Sequence, residues 1–169
     1  MMYSNKYGKT GGDIVRHGSG GQNTQHGETK KVPEGIRKYL LGDEMDGESQ
    51  YNLFSLEGSI KREYCKMEGD EAKMNQLRKF YDQIISIYED SSMGGGESID
   101  GRLIRIVPIA KYAKARGLID EKLMTLIDEG VGIISKEKNP KKKEKCIERF
   151  KNVMEAIIAY SKKDKKGGY

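Results

Sequence analysis

Apolar residues recur at helical spacing through most of the chain beyond residue 70. Leu77, Phe80, Tyr81, Ile84 and Tyr88 stand at i, i+3, i+4, i+7 and i+11, one continuous face of an amphipathic helix. A second helix is expected over about residues 100–116, with Leu103, Ile106, Val107, Ala110 and Ala113 turned inward and Gly117 as its stop. Pro108 falls in its middle. Proline removes a backbone donor and crowds the preceding turn, so the pattern predicts a kink or a restart just before it. Asp120 is placed to cap a third helix, whose Leu123, Leu126, Ile127, Val131 and Ile134 repeat the stripe. Asn139 and Pro140 open a last helix, in which Phe150, Met154, Ile157 and Ser161 form the side to be buried, widened by Val153 and Ile158.

The earlier part of the chain is weaker in pattern. Residues 33–41 read as a short helix with proline in the first turn and Gly42 as the stop, and 42–49 as an acidic, glycine-punctuated loop. Residues 50–67 suit one helix using Tyr51, Phe54, Ile60 and Tyr64, with Gly58 weakening it. Residues 1–31 hold glycine, serine, asparagine and lysine with only Ile14 and Val15 as aliphatics, a composition that cannot offset its ordering entropy and predicts a flexible tail. Gly94, Gly95 and Gly96 predict a flexible interhelical loop. No segment alternates with period two. The expected fold is all-α: a compact bundle of about five to six helices, with a flexible tail (1–31), short helices and loops (32–69) and a helical core (70–169).

Composition narrows the partner. At 169 residues the prior is one domain. A net charge of +5 favours an acidic partner, nucleic acid above all, yet 26 acidic residues mean that the basic groups matter only where they cluster. Cys65 and Cys146 lie far apart and belong to no Cys-x-x-Cys pair, which suggests neither a disulfide framework nor a zinc site and fits a reducing, cytoplasmic setting. No apolar run approaches the roughly 18 residues of a membrane span, and the N-terminal segment has no signal-like apolar stretch.

The sequence offers little for catalysis. His17 and His26 both lie in the glycine-rich tail, where no partner holds a base or a metal ligand in place. Asp128 with Glu129, and Glu89 with Asp90, read as solvated charge. Glu68, Asp70 and Glu71 are the one set that a metal-dependent nuclease could use, and that reading is kept as a rival. Gly94 to Gly96 are followed by Glu97, where a phosphate loop would carry Lys and Ser or Thr. The expectation is therefore no catalytic residue, no metal, no cofactor and no small-molecule substrate.

The basic residues carry more. Arg78 and Lys79 flank Leu77 and Phe80, so their heads project beside the buried stripe, and Lys111, Lys114 and Arg116 do the same on the next helix. Arg149 opens the apolar stripe of the last helix. Lys136, Lys138, Lys141 to Lys143 and Lys145 make a lysine-dense patch diluted by Glu137 and Glu144.

Three blocks in this order, Gln76-Leu-Arg-Lys-Phe-Tyr81, Pro108-Ile-Ala-Lys-Tyr-Ala-Lys-Ala-Arg116 and Arg149-Phe-Lys-Asn-Val-Met-Glu-Ala-Ile-Ile-Ala-Tyr160, resemble the signature of the small helical subunit of type III-A CRISPR-Cas effector complexes, the Csm complexes. The resemblance covers about residues 70–163. It implies an all-helical, non-catalytic antiviral-defence subunit that stacks in several copies as a minor filament, beside other Csm subunits, along target RNA paired with crRNA. Carried over by position, Phe80, Phe150 and Ala156 are packing residues, Arg78 and Arg116 are candidates for target-strand phosphates, and Arg149 serves RNA or a neighbouring subunit. Lys79, Lys111 and Lys114 join the candidate surface by charge and position alone. A protein that must accept any target should hold phosphates and leave sequence to the guide. The rival from another class is a helical interaction subunit that touches RNA only incidentally.

Overall fold

The structure, a computed structural model, describes residues 31–65, 70–93 and 97–161. These form seven α-helices: α1 (Glu34–Leu41), α2 (Gly47–Phe54), α3 (Ser59–Tyr64), α4 (Glu71–Ser92), α5 (Glu97–Ala115), α6 (Glu121–Lys136) and α7 (Pro140–Ser161). No strand occurs among the described residues. The expected tail up to residue 30, with His17 and His26, lies outside them, as do Glu68 and Gly94 to Gly96.

Short polar side chains start the long helices. Asp70, Asp120 and Asn139 accept hydrogen bonds from the backbone N–H groups of Lys73, Leu123 and Lys142 at 3.1, 2.8 and 3.1 Å, each satisfying a donor that the first turn leaves open. Pro140 then occupies the first position of α7, where its missing N–H costs nothing. Gly42 and Gly117 end α1 and α5 at φ +90° and +70°, the left-handed conformation that the expected stops require.

The four long helices run alternately up and down. Arg102 of α5 bonds both Asp90 and Ser86 of α4, which fixes those two as an antiparallel hairpin. At the same end Ser92 reaches Glu144 at 3.0 Å and Lys143 reaches Asp100 at 2.8 Å, so α7 begins where α4 ends. Helix α4 packs closest on α7 and α5 on α6, while α1 to α3 lie across α7 and α6. One continuous core runs from Val32 and Ile36 through Leu77, Phe80, Leu103 and Leu126 to Phe150 and Ile157. Phe80, Phe150, Met154 and Ile157 are wholly buried, and Ala156 packs partly buried against them. On α4 the innermost row is Met74, Leu77, Phe80, Ile84 and Ile87, with Tyr81 and Tyr88 at its margin.

Two expectations are corrected. The single helix over 50–67 is two, because Gly58 is packed onto the preceding turn: a Cβ there would stand 2.5 Å from the Leu53 carbonyl oxygen. With the chain broken at that point, Tyr51 turns outward at 70% exposure instead of joining the buried stripe. Second, α5 does not restart at Pro108. Pro108 lies on the exposed side of the helix, so the carbonyl left without its partner sits where water can hydrate it.

Candidate nucleic-acid interface

The antiparallel hairpin decides which cations share a surface. Lys79 lies about 16 Å from Asp90 along α4, and Arg116 about 21 Å from Arg102 just past the end of α5, so both fall at the same end of the pair. At 3.6 residues per turn, Lys79 is on the Ser86 and Asp90 flank of α4, and Arg116 on the Arg102 flank of α5. Both flanks border the groove between the two helices. Arg105 shares the flank of Arg116. Lys79, Arg105 and Arg116 are exposed, and none makes an ion pair with a described residue. The Arg116 guanidinium stands 5.7 Å from the Tyr112 ring centre, close enough for the ring to steady it.

The other candidates are placed differently. Arg78 is exposed and donates to Asn75 Oδ1 at 3.2 Å, one position round α4 from Lys79 and away from the groove. Lys111 is exposed on the opposite flank of α5, the side of Lys114, which is half-buried and ion-paired to Glu121 of α6. Between the two flanks lies the outward face of α5, which carries Ile104 at 56% and Tyr112 at 65% exposure, with Pro108 between them.

Arg149 is held by its own chain. Its guanidinium lies 6.0 Å from the Tyr39 ring centre and fills the space where residue 42 would carry a side chain, since a Cβ on Gly42 would fall 2.2 Å from Nη1. Lys136, Lys138, Lys141, Lys142 and Lys145 are exposed, but at the end of the bundle opposite to Lys79 and Arg116. Lys143 is tied to Asp100. Asp70, part of the nuclease rival, is occupied as the cap of α4 and pairs with Lys73 at 3.3 Å. Hydrogen bonding to the Lys73 N–H keeps its carboxyl below the usual range. Among the described residues no group of three or more His, Cys, Asp or Glu could hold a metal ion, and no helix is long and apolar enough to cross a membrane. Cys65 and Cys146 are free and buried, and burial raises both thiols above their usual pKa.

Arg105 and the exposed apolar face of α5 were not singled out in the sequence, although the signal was there. Gly101, Ile104, Pro108 and Ala115 recur at helical spacing opposite to Leu103, Ile106, Ala110 and Ala113, a second face that is mostly apolar on a helix already supplied with a core face.

The family model for Csm2 Type III-A matches residues 59–166, the segment that holds α3 to α7. The chain belongs to the Csm2 family. That family supplies the small structural subunit of type III-A CRISPR-Cas complexes, which associates with other Csm subunits. No curated protein and no solved structure matched the chain. The Csm2 match contains the whole α4/α5 groove and leaves α1 and α2 outside it.

Proposed function

We propose that this chain is a non-catalytic, cytoplasmic subunit that stacks in several copies along the effector complex and holds the backbone of target RNA paired with crRNA, without reading its bases. The observation that carries the proposal is the convergence of Lys79 and Arg116, with Arg105, on one groove of a Csm2-family bundle, all exposed and without an ion pair among the described residues. Unpaired cations at a groove release counterions on meeting phosphate, which gives affinity without sequence preference. Arg78 and Lys111 lie outside that groove, one further round α4 and the other across the apolar strip of α5. Lys114 and Arg149 contribute less, because one is neutralised by Glu121 and the other is engaged beside Tyr39 and Gly42.

The test is the double reversal Lys79→Glu with Arg116→Glu in the assembled complex. Target-RNA affinity should fall, and the slope of log affinity against log salt should shrink by about 1 to 2 for two lost phosphate contacts. Unchanged affinity at several salt concentrations, with the assembly intact, overturns the assignment. A second reading, a subunit whose surface chiefly meets protein, is favoured by the apolar face of α5, which suits a protein contact better than a phosphate.

A further inference from the structure

Two exposed faces of this chain match each other. The first is the outward side of α5, where Ile104, Ile109 and Tyr112 are 56%, 41% and 65% exposed. Residues 101–116 around them carry no carboxylate, and of their five cationic side chains Arg102 and Lys114 pair with Asp90 and Glu121, which leaves Arg105, Lys111 and Arg116 without an ion pair among the described residues. The second lies across the α1–α2 turn. There Leu41, Tyr51 and Leu56 are 50%, 70% and 64% exposed, and residues 42–49 carry Asp43, Glu44, Asp46 and Glu48 with no basic residue. All four carboxylates are exposed, and the hydrogen bond to the Ser49 N–H holds the carboxyl of Asp46 below the usual range, so its charge persists.

The faces are also on different sides of the molecule. Helix α5 packs on α4 and α6, whereas α1 and α2 pack with α3 on the α6 and α7 side. A chain with an apolar, cationic face on one side and an apolar, anionic face on the other cannot satisfy either by a two-fold contact of like with like. It can satisfy both by a head-to-tail contact, which repeats from copy to copy as an open stack unless its rotation closes a ring. We propose that successive copies of this chain dock in this way, the α5 face of one on the α1–α2 face of the next, with Tyr112 and Ile104 meeting Tyr51 and Leu41 inside a rim where Lys111 faces the acidic loop. The proposal rests on the stacking reading above. Its acidic half lies outside the Csm2 match, so the contact belongs to this chain's own N-terminal elements. Exposed apolar groups ringed by complementary charge are the make-up of a specific interface, in which the apolar centre gives affinity and the rim gives register.

Cross-linking within the assembled complex tests the contact. The native Cys65 and Cys146 are buried, so introduced surface cysteines report alone under mild oxidation. A complex built with Y51C/Y112C chains, or with L56C/I109C chains as a second placement, should give a ladder of dimers, trimers and higher species that collapses on reduction. Y112C alone should give no dimer. A dimer from Y112C alone marks a like-with-like contact and overturns the proposal, as does the absence of a ladder from both pairs while native mass spectrometry shows several copies present. A complex holding a single copy overturns the stacking reading itself, and the contact with it.

Discussion

Helices α5 and α7 are built from similar materials and used in opposite ways. Both mix apolar residues with lysine and arginine. On α7, Phe150, Val153, Met154 and Ile157 are wholly buried, because α4, α6, α1 and α3 all pack on it. Its Arg149 is drawn in against Tyr39 and Gly42. On α5 the main cover among the described residues comes from α4 and α6, so Leu103, Ile106, Ala110 and Ala113 are buried while Ile104, Ile109 and Tyr112 face out. An apolar residue beside a cation thus means core on one helix and a surface on the other. The number of neighbouring elements decides which.

The sharpest test of the buried side is Phe150→Ala, which removes a fully enclosed ring and should cost about 3 to 5 kcal/mol in denaturant unfolding. A loss below about 1 kcal/mol would break the contrast at its firm end. Gly130→Ala comes next. In a helix interior that change ordinarily gains up to about 1 kcal/mol, but here the new Cβ would stand 2.6 Å from Phe150 Cε2. The expected sign is therefore reversed, a loss of about 1 to 3 kcal/mol from overpacking. Combining it with Phe150→Leu should recover part of that loss, which a double-mutant cycle would measure.

Gly42→Ala probes how firmly Arg149 is held. The left-handed backbone at φ +90° makes any side chain cost about 1 to 2 kcal/mol. Arg149 must also leave its place, so its distance from Tyr39 should lengthen. Asp120→Ala should cost about 1 kcal/mol through the lost cap at Leu123. The smallest effect belongs to the outer side: Ile104→Ser or Tyr112→Ser should change the unfolding free energy of the isolated chain by no more than about 0.5 kcal/mol. A larger loss would mean that the α5 face is part of the core after all.

How much of this was legible in advance differs between these two helices. The stripe of α7 could be read down to Ser161, since a face of Phe, Met and Ile at helical spacing has to be buried somewhere. The caps Asp120 and Asn139 and the stops Gly42 and Gly117 were legible for the same local reason. The break at Gly58 was not, because it depends on a carbonyl of the preceding turn standing where a Cβ would be. Nor was the separation of the cations. In the sequence Lys111, Lys114 and Arg116 look like one ridge. In the fold Lys114 is tied to Glu121, Arg116 turns to the groove that it shares with Lys79, and Lys111 lies across an apolar strip from both.

The four long helices, most of their ends, their buried residues and the Csm2 family could be read from the chain alone. All of these follow from spacing along one chain, where 3.6 residues per turn and a capping side chain act over a few positions. The packing settled which cations have no ion pair among the described residues, why Arg149 is held inside the molecule, and that the described helices leave an apolar face of α5 exposed. Those outcomes depend on which helix stands beside which, and on charges and carbonyls that approach from tens of residues away.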